Sequence, residues 1–462
     1  MSQPSDPTAQ LPTAQFPTAQ FPTAVPPPGL LDGSAHLPTH VATFGALPAL
    51  AAEQVLAAAG RAGLTGRGGA GFPVERKMRA VAASAAKSRR GARSEPVVIA
   101  NGCEGEPASG KDGALLRRSP HLVLDGIALA ARAVGARTAY LCVHEDDSAV
   151  RQTVQDAIAQ REAVRSDEVD VVVVGVPARY SASEETALVS AVEGGPALPR
   201  FTPPRPFERG VGGRPTLINN VETLAHLALI CRRGPDWFRA AGTPDAPGTT
   251  LVTVSGAVAA PSVHEIPLGI PVSELIALAG GATEPLQALL VGGYFGTWLP
   301  AADAPHTPVT PRGLAAAGTS LGAGVFVAFP QAACGLAETA RVARYLARHS
   351  AGQCGPCVNG LPALASALEA LAFKGDQRAP AYLNRMTGFV TGRGACRLPD
   401  GATRLITSAL TVFAQDVRAH ARSGPCPAAR RAPLLPTPAE PGAGLGAASA
   451  LSGASARGVV AR

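Results

Sequence analysis

Apolar positions along the first half of the chain alternate between two periods. A helical spacing runs over 51–62 and again over 74–87, separated by a glycine-rich loop, and an apolar run at 96–100 then reads as a buried strand. Helix at 122–134, strand at 139–143, helix at 149–164 and the β-branched run 169–176 continue the alternation. The pattern predicts an α/β domain over 40–240. From 249 it shifts to short β segments at 251–258, 263–266, 289–291 and 325–329, with one short helix at 273–279, which predicts a small α+β domain over 246–330. Helical periods at 337–348, 361–371 and 402–420 then predict a third, helical domain over 331–422.

The two ends lack any such period. Residues 1–28 repeat Pro-Thr-Ala-Gln and finish in a proline run, so a disordered leader is expected, and the Pro-, Ala-, Gly- and Arg-rich stretch 423–462 predicts a basic, flexible tail. A length of 462 residues calls for two to four domains, and 46% hydrophobic residues suffice for their cores. No apolar run reaches the roughly 18 residues of a membrane helix, and no signal-peptide pattern opens the chain, so a cytoplasmic protein without a transmembrane segment is expected. In that reducing compartment the eight cysteines point to metal or redox chemistry before disulfides. A net charge of +7 without long basic tracts argues against nucleic acid as a partner. The one local basic patch, Lys87, Arg89, Arg90 and Arg93, reads as a solvated loop, with a docking site for an acidic partner as the alternative.

Four segments carry candidate chemistry. The first is Gly66-Arg67-Gly68-Gly69-Ala70-Gly71-Phe72-Pro73. A helix precedes it where a dinucleotide fingerprint needs a strand, and no Gly-Lys-Ser/Thr follows to make a P-loop. Its glycines let backbone N–H groups converge, Pro73 is suited to opening a helix, and Arg67 and Lys77 offer charge to an anion there; a tight helix–helix turn is the plainer alternative. The second segment, Asn101-Gly102-Cys103-Glu104-Gly105-Glu106 followed by Lys111-Asp112, sits at the carboxyl end of a predicted strand, where α/β proteins place ligands. The third, Tyr180 to Leu188 with Glu184 and Glu185, reads as a capped helix start. In the fourth, Asn219-Asn220-Val221-Glu222-Thr223, paired amides suit either a helix cap or a planar ligand.

In order and spacing these segments resemble the flavin-bearing, NADH-oxidising subunit of respiratory complex I and the diaphorase subunits of NAD-linked hydrogenases and formate dehydrogenases, over about residues 40–422. The resemblance implies an FMN-binding α/β domain, a β-grasp (SLBB-like) domain and a C-terminal helical bundle carrying an iron-sulfur site. It implies that Gly66, Arg67, Gly68, Gly69, Gly71, Phe72 and Lys77 surround FMN phosphate, and that Asn101, Glu104, Asn219, Asn220 and Thr223 fix the flavin. Tyr180, Glu184 and Glu185 would line the same site, with Glu106 and Glu185 contacting NADH. This chain departs from the family at Cys103 in place of an Asp, at Ser183 in place of a Gly, and at Ala80 and Arg205 in place of adenine-clamping aromatics.

Cys354-Gly355-Pro356-Cys357 and the distant Cys396 form the strongest metal-like pattern. A thioredoxin-type dithiol would need a preceding strand, and a helix is predicted instead. Zinc fits if Cys334, Cys426 or His349 adds a ligand, and a vestigial site is a further reading. The resemblance implies a four-iron cluster held by Cys-x-x-Cys-x-x-Cys and a fourth cysteine; Ala351 occupies the first position here, so Cys334 or Cys426 is the expected substitute. Cys142 and Cys231 read as core residues, Gly292 to Trp298 as a packed turn, and the scattered histidines as having no catalytic role.

The expected activity is therefore electron transfer from NADH through FMN to the cluster and on to a ferredoxin-like or quinone-linked iron-sulfur partner. No side chain acts as acid or base, and association with a membrane complex would be peripheral. The alternatives are an electron-transfer or assembly subunit that no longer oxidises NADH, and a zinc-stabilised binding protein.

Overall fold

The computed structural model describes residues 28–87, 95–164 and 168–438. The expected leader through residue 27, Arg89, Arg90 and Arg93 of the basic patch, and the tail from 439 lie outside them.

The α/β domain is built on four parallel strands, β1 (Val97–Asn101), β2 (Thr138–His144), β3 (Asp170–Val176) and β4 (Thr216–Asn220), in the order β3-β2-β1-β4. Val97 to Ala100 are fully buried because helices cover both faces of the sheet. Helices Pro120–Val134 and Val221–Arg233 form one such layer, and their closest approach needs Gly126: a Cβ there would lie 2.0 Å from the Leu224 carbonyl oxygen. β4 was not expected from the sequence pattern, whereas the helix after it is capped by Asn220, in the run where a cap was one of the two readings.

A two-stranded ribbon, β5 (Gly242–Thr243) with β6 (Ala246–Pro247), leads into the second domain. There a mixed sheet of β7 (Thr249–Gly256), β8 (Ser262–Pro267), β9 (Leu286–Val291), β10 (Thr297–Pro300) and β11 (Val325–Pro330) takes the order β10-β9-β11-β7-β8 and packs on helix Val272–Leu278. The aromatic stretch expected as a packed turn is one over 292–296 and runs into β10, whose Trp298 donates from Nε1 to Thr339 Oγ1 at 3.0 Å and so ties this domain to the next.

Helices Gly335–Arg348, Leu361–Glu369, Ala379–Val390, Leu398–Val412 and Ala414–Ser423 make the third domain around Leu336, Leu346, Leu364, Leu368, Leu405 and Ile406. The stretch Pro356–Lys374, 19 residues of mean hydropathy 1.2, is long and apolar enough to cross a membrane, but Leu361, Leu364, Leu368 and Leu371 bury it in this core. Residues 423–438, expected to begin the flexible tail, instead pack as a strap. Glu338 accepts the N–H groups of Leu434 and Leu435 at 3.1 and 3.0 Å, Arg341 donates to the carbonyls of Ala429 and Arg431, and Leu435 is buried.

Candidate functional site

The chain runs from β1 out to β2 and β3 on one side and returns to β4 on the other. The gap between the carboxyl ends of β1 and β4 is therefore a topological switch point, where connections leave in opposite directions and open a crevice. Asn101 and Asn220 end these strands as register partners. The Asn101 side chain donates to the Ser183 carbonyl at 3.0 Å and accepts the Cys103 N–H at 3.1 Å. Asn220 caps helix Val221–Arg233 by accepting the Glu222 N–H at 3.0 Å, and its Nδ2 donates to Asp112 at 2.6 Å. Asn219 is only 6% exposed, and its Nδ2 has no partner. A buried amide donor without an acceptor is costly, so its place at the switch point marks it for a ligand.

The glycine loop folds over this strand end. It is closed by the Gly66 N–H to the Phe72 carbonyl at 2.9 Å and pinned by the Arg67 N–H to Thr223 Oγ1 at 2.8 Å. Gly69 and Gly71 have φ of +94° and +61°, which disfavours a side chain at either, and a Cβ on Gly69 would also crowd the Gly322 carbonyl oxygen at 3.2 Å. Helix Val74–Lys87 starts directly after the loop, its first turn carrying Lys77, which donates to the Ile218 carbonyl at 2.6 Å and pairs with Glu185. The Phe72 ring is half exposed beneath the Arg76 guanidinium. Arg67, expected to meet an anion, instead sends its buried guanidinium to the Thr249 carbonyl at 3.1 Å, with Glu222 at 4.0 Å.

Behind the strand ends lies a charge network whose burial no local pattern signalled. Lys111 Nζ donates to Asp112 at 2.6 Å and to Glu222 at 2.9 Å. Burial pulls the Lys111 ammonium down, but Asp112, Glu222 and Glu104 outweigh it and keep the amine charged. Burial raises Asp112 to about 6 against the pull of Lys111; for Glu222 burial is overcome by Lys111, His226 and Arg67, which hold it at about 2. Glu104 accepts the Asp112 N–H at 3.2 Å and so caps the following helix, Lys111–Arg118.

Glu106, expected to contact NADH, is held by donors of the protein itself. It is 6% exposed and accepts the Tyr294 N–H at 2.7 Å, the Tyr180 hydroxyl at 3.0 Å and the Ala108 N–H at 3.2 Å. Burial pushes its carboxyl up to about 7, although these donors favour the anion. Tyr180 is sealed among Tyr294, Phe295 and Tyr345 where the three domains meet. Glu184 is the N-cap of helix Glu185–Val192, accepting the Thr186 and Ala187 N–H groups at 2.9 and 3.1 Å, which leaves Glu185 as the exposed acid of this segment.

Cys354, Cys357 and Cys396 converge. Backbone N–H groups of Ala395 and Cys357 point at the Cys354 sulfur, that of Gly352 at Cys357 and that of Leu398 at Cys396, the surroundings that favour thiolate ligands. Burial nevertheless raises Cys357 to about 11, with Cys354 and Cys396 adding to it. The substitutes expected for the position of Ala351, Cys334 and Cys426, act on each other, and His349, a ligand only in the zinc reading, packs tilted against Tyr345 at 4.2 Å. A cavity of about 810 Å³, lined by residues such as Asp245, Asp303 and Arg312, includes none of the strand-end groups. The unpartnered Asn219 Nδ2 and the glycine loop make the carboxyl ends of β1 and β4 the candidate site instead.

Comparison with known proteins agrees with this geometry. Residues 59–229 match the Nuo51 FMN-binding domain, 251–293 the SLBB domain, and 337–420 the NADH-ubiquinone oxidoreductase-F iron-sulfur binding region. The NADH-quinone oxidoreductase F subunit of Streptomyces coelicolor is 31% identical over 393 residues, covering 82% of this chain and 85% of the relative. Its counterpart of the same name in Mycobacterium tuberculosis is 32% identical, covering 81% and 86%. Among solved structures, an NAD+-reducing [NiFe]-hydrogenase in the H2-reduced state superposes with a TM-score of 0.74 at 31% identity; the match covers 80% of this chain and 63% of the hydrogenase chain, just under two thirds of its length.

Proposed function

Because this chain belongs to the family of the NADH-quinone oxidoreductase F subunit, we propose that it is an oxidoreductase that binds FMN at the β1–β4 switch point, takes electrons from NADH and passes them to an iron-sulfur cluster in its helical domain. Bound flavin supplies the change from a two-electron hydride to single electrons. The protein's part is placement. The backbone from Gly66 to Gly71, with Phe72 and the first turn carrying Lys77, would cradle the phosphate at a helix N-terminus. Asn101, Glu104, Asn219, Asn220 and Thr223 would fix the rest of the flavin, Glu185 would meet the nucleotide, and Cys354, Cys357 and Cys396 would hold the cluster. Glu106 and Glu184 act one step back, setting Tyr180 and the start of helix Glu185–Val192. The electron acceptor is a ferredoxin-like or quinone-linked iron-sulfur subunit, the compartment the cytoplasm, and any membrane association peripheral.

The buried, unpartnered amide of Asn219 beside a loop of four glycines carries this reading. A second reading, a relay subunit that no longer oxidises NADH, draws on Arg205, a helix N-cap where a clamp ring is absent, and on the saturation of Glu106. Anaerobic purification followed by an NADH-to-ferricyanide assay separates them. A yellow-brown protein that turns over supports the first, a yellow-brown inert one the second, and a colourless one overturns both.

A further inference from the structure

Among the described residues, one group of metal-ligating side chains outside the site above brings its donor atoms together. Cys334 Sγ, His420 Nε2 and Cys426 Sγ all lie within 4.8 Å of one another, with sulfur to imidazole at 3.9 Å. A tetrahedral zinc with sulfur at about 2.3 Å and nitrogen at about 2.0 Å sets these atoms about 3.5 Å apart, so closure asks for only a small shift. A four-iron cluster holds its thiolates apart by the width of a cube, whereas these three donors lie within 4.8 Å of one another, the spacing of a single ion. Their partners also differ from those of Cys354, Cys357 and Cys396: Cys334 interacts with Cys426, and neither acts on the other set.

The local structure suits a metal. Cys334 is the N-cap of helix Gly335–Arg348, and the N–H groups of Leu336 and Ala337 point at its sulfur, which stabilises a thiolate in a buried place. His420 is 1% exposed at the end of helix Ala414–Ser423; its Nε2 accepts the Cys426 N–H at 3.2 Å, a bond the metal would replace, and its buried Nδ1 has no partner. Two thiolates neutralise a divalent cation, so the centre carries no net charge into the core.

We propose that Cys334, His420 and Cys426 bind one zinc ion, separate from the iron-sulfur site, with water in the fourth position. The ion fastens the strap 426–436 to the start of helix Gly335–Arg348. That strap ends on the aromatic cluster behind the flavin site, where the Tyr294 hydroxyl donates to the Pro436 carbonyl and the Tyr294 N–H holds Glu106. Zinc thus joins the last described segment of the chain to the wall of the site.

Metal analysis of the full chain, purified anaerobically, tests this. The parent is expected to hold about one zinc per chain beside its iron. Cys426→Ser and His420→Ala should each lose at least roughly tenfold in zinc occupancy at limiting metal with iron unchanged, while Cys396→Ala loses iron and keeps zinc. Cobalt(II) bound to the parent should show thiolate-to-cobalt absorption that Cys426→Ser lacks. Should Cys426→Ser be insoluble, Cys426→His, which keeps a donor, must restore both solubility and zinc. A parent without zinc, a Cys426→His protein without it, or a Cys426→Ser protein that loses iron as Cys396→Ala does would overturn the proposal.

Discussion

The Asn220 side chain donates from Nδ2 to the Asn101 backbone carbonyl at 3.3 Å, a bond between register partners at the ends of adjacent parallel strands. Asn220 is also a helix cap and a partner of buried Asp112, while its neighbour Asn219 has a side-chain nitrogen with nothing to bind. The two asparagines should therefore respond differently. Asn220→Ala is expected to cost about 1–3 kcal/mol in urea unfolding, through the lost cap and an unpaired carboxylate. Asn219→Ala should leave apoprotein stability within about 1 kcal/mol yet reduce bound flavin, because its donor is satisfied only by ligand. Equal losses of stability would place both residues in the scaffold.

Gly69 gives a steric test of the cradle. Its φ of +94° and the nearby Gly322 carbonyl penalise any side chain. Gly69→Ala should cost about 1–2 kcal/mol and weaken flavin retention on gel filtration, while Gly71→Ala, with open space around its Cβ, should show the smaller effect on both.

Glu106 predicts a pH effect. Its carboxyl titrates near 7 in the fold against an ordinary value of 4.5, so the folded state keeps a proton that the unfolded chain releases. Stability from this group is present below about pH 4.5 and is lost as pH rises through 7, a change on the order of 3 kcal/mol. Thermal melts from pH 5 to pH 8 should fall more steeply for the parent than for Glu106→Gln; parallel slopes would contradict the burial argument.

Asp125 should behave in the opposite sense and without touching the cofactor. It is buried against His40 at 2.9 Å, Arg161 at 2.8 Å and Arg232 at 2.6 Å. Burial alone would raise its carboxyl, but His40 and the two arginines hold it at about 2, against an ordinary 3.8. Its contribution is complete above about pH 4 and disappears as pH falls through 2. Removing it takes the shared carboxylate from two buried guanidinium groups, so Asp125→Ala is expected to cost about 3–5 kcal/mol with normal flavin content in whatever protein remains folded.

The three-part architecture was legible because each part has its own hydrophobic period, and the glycine loop because left-handed turns need glycine. β4 was not: Thr216–Asn220 is five residues long, ends in two polar side chains, and joins the sheet as an edge strand only by pairing with β1, more than a hundred positions earlier. The same non-local pairing creates the switch point. Lys111 and Asp112 stood in view as charges at a strand end, but their burial depends on Glu222 arriving from another element. The nucleotide contact of Glu106 rested on the family resemblance, and the sequence could not show Tyr294 closing over it. The trio Cys334, His420 and Cys426 spans 86 positions from the first cysteine to the histidine and makes no local motif.

Flavin analysis of the full chain tests the central claim most directly. Protein purified anaerobically and then heat-denatured should release about one flavin per chain, and chromatography should identify it as FMN, with Lys77→Met and Asn219→Ala releasing less at equal fold content. Release of FAD, or of no flavin from a protein with an intact far-UV spectrum, would contradict the assignment of the β1–β4 crevice and its glycine loop as an FMN site.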